Sequence, residues 1–125
     1  MAKILIVDDD PDIGFMLKKL LERKGHEAVT SLNGNEALKC LELIRFDVVI
    51  TDLIMPDMDG VELIMKMRIT YPEQKVIAIS GGGRINADVY LQMAKLLKVK
   101  HTFQKPIRGD DLLKAIDDLL TDQTR

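Results

Sequence analysis

Apolar positions change period along this chain, in a regular way. Runs of consecutive apolar residues at Lys3 to Asp8, Asp47 to Asp52 and Val76 to Ser80 suit strands buried on both faces of a parallel sheet. Glu27 to Ser31 alternates, as an edge strand does, and Lys100 to Gln104 is a weaker fifth candidate. Between these runs the spacing becomes helical. Ile13, Met16, Leu17, Leu20 and Leu21 recur on one stripe behind a cap at Asp10 and Pro11, and Gly25 stops the helix after Lys24. Asn33 with Glu36 resembles a capping box for a helix through about Ile44, with Ala37, Leu38, Leu41 and Ile44 inward. Asp59 with Glu62 opens a third helix that carries Val61, Ile64, Met65 and Met67 and ends before Pro72. Further helices are expected around Ala87 to Leu97 and from about Asp110 to Leu120. Five strand–helix units with two-faced apolar strands predict an α/β doubly wound parallel sheet with helices on both faces.

Composition bounds the chemistry. The chain has 125 residues, 46% hydrophobic and 30% charged, the length of one domain able to bury roughly two-thirds of its unfolded surface. One domain over residues 1–125 is therefore expected. No apolar stretch approaches the roughly 20 residues of a membrane span, and acids follow the first strand where a signal peptide needs small residues, so a cytoplasmic protein without membrane contact is expected. The lone Cys40 fits a reducing compartment and a packed helical position. Net charge is −2, but it is unevenly spread: acids dominate up to Glu62, while Lys and Arg outnumber acids from Leu63 onward. The basic half suits an acidic partner or plain solvation. Without an aromatic-interleaved basic patch, direct nucleic-acid binding is not expected.

The polar residues that end the apolar runs carry the functional signal. Asp8 and Asp9 follow the first run, Asp52 the third, Ser80 the fourth, and Lys105 with Pro106 the fifth. In a parallel sheet the carboxyl ends share one edge, so these groups would converge there. Carboxylates crowded together repel unless a cation joins them, and a hard divalent ion is the natural partner. Singly, each residue has a plainer reading: Asp8 and Asp9 as surface acids, Asp10 as a cap, Asp52 as a turn former, Lys105 as a solvated charge. Met55 and Met58 read as packing and turn residues, and His26 and His101 lack the paired spacing of metal ligands.

Together, the acid pair in ILIVDDD, the segment DVVITDLIMPDMDG, the strand-end AIS and the FQKP resemble the receiver domain of two-component response regulators, over about residues 3–120. The resemblance implies a flavodoxin-like strand order 2-1-3-4-5 with the site at the switch point between the first and third strands. It implies that Asp52 takes a phosphoryl group from a sensor histidine kinase or a histidine phosphotransfer protein, with Mg²⁺ (Mn²⁺ as a substitute) held by Asp9, Asp52 and the Ile54 backbone carbonyl, and by Asp8 through water. Lys105 would neutralise the phosphoryl oxygens and Ser80 would receive the product, moving the loop Gly81, Gly82 and Gly83. A cis bond before Pro106 is also implied. The result would be a switch that slowly loses its phosphate by self-hydrolysis and passes its signal to a downstream protein or a fused output domain.

Three departures from the family pattern bear on signalling. Thr102 replaces the usual aromatic, with Phe103 facing the other way; the segment SGGGRINADVY is long and rich in glycine; Lys98 and Val99 stand where Gly-Ala is frequent. The first helix, around Gly14 and Phe15, is the expected docking face for the phosphodonor. Two other classes share parts of the pattern. A Mg²⁺-dependent aspartyl-phosphate phosphatase or phosphotransferase usually needs an acid where Ile54 stands. A flavin binder needs a phosphate-cradling loop where this chain has Asp8, Asp9 and Asp10.

Overall fold

The computed structural model describes residues 1–81 and 87–121, and in the helix beginning at residue 87 it leaves the side chains of residues 87, 88, 90 and 91 undescribed. Strands and helices alternate: β1 (Lys3–Val7), α1 (Pro11–Arg23), β2 (Glu27–Ser31), α2 (Gly34–Leu43), β3 (Val48–Asp52), α3 (Gly60–Thr70), β4 (Lys75–Ser80), α4 (Ala87–Leu96), β5 (His101–Gln104) and α5 (Gly109–Thr121). All strand pairings are parallel, in the order β2-β1-β3-β4-β5. The expected strand order is therefore present.

Local chemistry explains where the helices start. The Asp10 carboxylate accepts from the Asp12 N–H at 2.9 Å, with Pro11 at the first helical position. The Asn33 side chain accepts from the Glu36 N–H at 2.9 Å, while the Glu36 carboxylate reaches back to the Leu32 N–H at 3.1 Å. Asp59 accepts from the Glu62 N–H at 2.8 Å. The bonds to Asp12, Glu36 and Glu62 satisfy N–H groups that the helices themselves leave without partners, and the bond to Leu32 ties down the residue before the cap.

The sheet separates two cores. Leu5, Val7, Val49, Val76 and Ala78 face α2, α3 and α4; Ile4, Ile6, Val48, Ile50, Ile77 and Ile79 face α1 and α5. Phe103 packs against the second core, so Thr102 points to the opposite face, as the alternation of a strand requires. Cys40, Met55 and Met58 pack in or against the first core.

Several expectations need correction. Gly14 is buried, not exposed: a Cβ there would sit 3.6 Å from Thr30 Cγ2, because α1 crosses close over β2. Met16 and Met65 are about half exposed, while Leu63 is fully buried. α3 lies between α2 and α4, so its buried arc is wider than a single stripe suggests. Val48, Lys75 and His101 rather than Asp47, Val76 and Lys100 begin their strands. Gly82 and Gly83 lie outside the described residues.

Candidate functional site

β1 and β3 lie side by side in the middle of the sheet, with Thr51 opposite Val7, so the residues just beyond them emerge together. The Asp8 N–H donates to the Ser31 carbonyl at 3.2 Å, which extends the β1–β2 ladder by one residue and fixes the Asp8 side chain at the edge. Its carboxylate accepts from the Asp10 N–H at 2.9 Å and is buried, whereas Asp9 is exposed. Asp52, the last residue of β3, is 4% exposed. Its carboxylate accepts from the Ile54 N–H at 3.2 Å, and the Leu53 N–H donates to the Ile79 carbonyl at 2.8 Å, so the chain leaves β3 in a fixed direction.

Lys105 arrives from the far side of the sheet. Its backbone N–H donates to the Ser80 carbonyl at 2.8 Å, and the cis Lys105-Pro106 bond follows. The ammonium reaches across to lie 3.1 Å from Asp8 Oδ2 and 3.1 Å from Asp52 Oδ2. Carboxylate oxygens of Asp8, Asp9 and Asp52 come within 4.8 Å of one another. Among the described residues, Asp8 and Asp52 therefore share the Lys105 ammonium, with Asp9 beside them. Burial, and then the Asp8 charge, push the Asp52 carboxyl above its ordinary 3.8, more than the Ile54 N–H and Lys105 pull it down. Burial alone would lower Lys105, but Asp8 and Asp52 outweigh it and hold the ammonium above its ordinary 10.5.

This donor set fits a hard divalent cation. The oxygens are carboxylates, one of them on an exposed residue, and among the described residues they carry more negative charge than Lys105 balances. Asp10 caps α1 and stays outside the cluster. Ser80 closes β4 on the same edge, fully buried, with its hydroxyl 3.5 Å from the Gly81 carbonyl. His26 Nδ1 accepts from the Ala2 N–H at 3.0 Å, and His101 Nε2 lies 2.7 Å from Asp118, so both rings are engaged away from the acids.

One site residue escaped the sequence reading. Gly60 begins α3 directly behind the phosphoacceptor candidate, its N–H donating to the Leu53 carbonyl at 2.9 Å. A Cβ there would run into the Asp52 carbonyl oxygen and lie 2.6 Å from Leu53 Cα. The only signal was a glycine just after the Asp59 cap, in a segment already explained as a turn.

A family model described as the response regulator receiver domain matches residues 4–117. The transcriptional regulatory protein GlrR of Escherichia coli (strain K12) is 36% identical over 95% of this chain, which spans 26% of that protein. The sporulation initiation phosphotransferase F of Bacillus subtilis is 31% identical over 91% of this chain and 90% of its own length. The crystal structure of the response regulator protein TrrA from Thermotoga maritima in complex with Mg(2+)-BeF superposes with a TM-score of 0.81 at 30% identity, covering 95% of this chain and 99% of that one.

Proposed function

Because this chain belongs to the response regulator receiver domain family, a family of signalling switches in two-component systems rather than metabolic enzymes, we propose that Asp52 is its phosphoacceptor. The observation that carries this reading is the clustering of Asp8, Asp9 and Asp52 carboxylate oxygens, two of which, on Asp8 and Asp52, pair with the ammonium of Lys105. Asp9, Asp52 and the Ile54 carbonyl would hold Mg²⁺, with Asp8 acting through water. When bound, the ion would neutralise charge on the phosphoryl oxygens as a Lewis acid. TrrA, a protein of the same fold, forms a complex with Mg(2+)-BeF, which supports this choice of ion.

The chain's own residues do the rest. An Asp52 oxygen forms the new O–P bond as the P–N bond of a phosphohistidine breaks; the bonding pair stays on the imidazole nitrogen, which then takes a proton from water. Lys105, already paired with Asp52, moves its charge onto the incoming phosphoryl oxygens. Burial of Asp52 keeps competing water scarce, and Ser80 donates its hydroxyl to a phosphoryl oxygen, drawing Gly81 with it. The half-buried Thr102, paired with Ala78, has no ring to swing, so the signal travels through the Ser80 loop. The phosphodonor is a histidine kinase or histidine phosphotransfer protein in the cytoplasm, and Phe15, 61% exposed beside the acids, contributes to its docking face. Slow hydrolysis of the aspartyl phosphate resets the switch.

Incubation with acetyl phosphate and Mg²⁺ should add one phosphoryl mass, labile to hydroxylamine, and Asp52→Asn should remove that gain. An unchanged mass in the parent protein would falsify the assignment.

A further inference from the structure

The Ile54 carbonyl, one of the proposed metal ligands, lies on the loop from Leu53 to Asp59, and the fold holds this loop at three points. At its start the Ile54 N–H donates to Asp52 Oδ1 at 3.2 Å, and at its end the Gly60 N–H donates to the Leu53 carbonyl at 2.9 Å. The middle is held from α2. Asp57 takes a φ of +67°, a left-handed conformation that aspartate tolerates better than most residues, and Met58 beside it is buried in the first core. A Cβ at Gly34 would run into Met58 Sδ and lie 2.9 Å from its Cγ and 3.1 Å from its Cβ. Met58 therefore fills, from Cβ to Sδ, the space that a side chain at position 34 would take. Gly34 is the first residue of α2, and helical backbone accepts alanine more readily than glycine, so it is this contact that calls for a glycine.

The turn that leads into α2 also touches the other half of the site. The Ser31 carbonyl, three residues before Gly34, accepts the Asp8 N–H at 3.2 Å, and the Leu32 N–H is tied to the Glu36 carboxylate of α2 at 3.1 Å. The segment from Ser31 to Gly34 thus meets the acid loop at Asp8 and the Ile54 loop at Met58. We propose that Met58 and Gly34 are positioning residues for divalent-ion binding: Met58, seated against the bare Cα of Gly34, fixes the Ile54 loop relative to Asp8. The proposal rests on the reading of Asp9, Asp52 and the Ile54 carbonyl as metal ligands. In Gly34→Ala, side-chain rotation can relieve the contacts at Sδ and Cγ, but Met58 Cβ moves only with the backbone, so the loop or α2 must give by a few tenths of an ångström. Mg²⁺ demands near-ideal geometry with oxygens at about 2.0–2.1 Å, whereas Ca²⁺ accepts about 2.3–2.6 Å and irregular cages. A small displacement of one ligand loop therefore costs Mg²⁺ more than Ca²⁺.

The test is calorimetric titration of the full chain with Mg²⁺ and, separately, with Ca²⁺. Gly34→Ala and Met58→Ala should each weaken Mg²⁺ binding roughly tenfold and Ca²⁺ binding by less than about threefold. Met58→Leu, which conserves most of the volume, should stay within about threefold of the parent for both ions. A variant carrying both alanine changes should bind Mg²⁺ no more weakly than Met58→Ala alone, because the two residues act through one contact. A role in stability alone would lower the melting temperature and leave the preference between the ions unchanged. Equal losses for Mg²⁺ and Ca²⁺, additive losses in the doubly changed variant, or parent-like Mg²⁺ binding in Gly34→Ala would overturn the proposal. If circular dichroism showed Gly34→Ala unfolded, Met58→Ala against Met58→Leu would still decide, since equal Mg²⁺ affinity in the two would overturn it. Asp52→Asn is the control for the site itself. Undiminished Mg²⁺ binding there would overturn the metal reading and this proposal with it, whereas weakened binding there beside a parent-like Gly34→Ala would overturn this proposal alone.

Discussion

At the scale of single residues, the candidate site is a charge imbalance held in place by one lysine. Lys105 bonds the same carboxylate oxygens, Asp8 Oδ2 and Asp52 Oδ2, whose charge a divalent ion would relieve. Ammonium and metal therefore compete for them. Lys105→Met should cost the ion-free protein about 1–2 kcal/mol, less than a fully buried pair because the lysine is partly exposed, while tightening Mg²⁺ binding several-fold in calorimetric titration and impairing phosphoryl uptake. Looser Mg²⁺ binding in the variant would mean that the ammonium organises the site rather than competes in it. Asp52 carries the opposite sign of stability. Burial first and Asp8 second raise its carboxyl above 3.8 in the folded state. Its stabilising contribution is therefore complete below that unfolded value and is lost as pH rises through the folded one. Without added metal, Asp52→Asn should melt higher than the parent at pH 7, and the gap should close as the pH is lowered toward 3.8 and below. A gap that widens on acidification would reverse the sign argued for Asp52.

At the scale of elements, the turn after α4 stores a local cost. Lys98 has φ +66°, a left-handed conformation that side chains with a Cβ disfavour, and its N–H donates to the Lys95 carbonyl at 3.0 Å while the Val99 N–H donates to Ala94 at 3.2 Å. This is the cap geometry in which glycine is the usual residue. Lys98→Gly should therefore stabilise the domain by about 0.5–1 kcal/mol, read from the midpoint of urea denaturation at unchanged slope; a loss of stability would show that the lysine side chain makes a compensating contact at the α3–α4 junction. The strand interiors and helix starts were legible in sequence because they depend on chemistry local to each segment: apolar runs, and caps such as Asp10, Asn33 and Asp59 bonded within a few residues. The faces of α1 and α3 were less so. Gly14 is buried by Thr30 across the β2 junction, and Leu63 rather than Met65 is covered because α3 packs between α2 and α4. A helix's own sequence carries its periodicity but not the width of its neighbours. Gly60 is the sharpest case, since what requires a glycine there is the Asp52 carbonyl one strand away.

At the scale of the whole molecule, the acidic cluster joins loops that no single helix layer controls. Asp8 leaves β1 from the middle of the sheet, Asp52 leaves β3 beside it, and Lys105 follows β5 at the far edge, so the site spans most of the sheet's width. Its residue types could be read from the strand ends, but the 3.1 Å reach of Lys105 to two carboxylates at once depends on three strands keeping register. Unfolding scatters these groups along the chain, and the scattered acids lose the site's geometry. An ion that binds the assembled cluster therefore stabilises the entire domain by mass action, by about 2.7 kcal/mol at a free concentration about 100 times its dissociation constant. For a chain of this length that is a rise of about ten degrees in melting temperature. Thermal denaturation followed by circular dichroism should show this rise with Mg²⁺ and its reversal by a chelator. Asp52→Asn should start from a higher metal-free melting point yet gain much less from the ion, because one of its three carboxylates is gone. An equal gain in parent and variant would place the bound metal elsewhere and detach Asp52 from it.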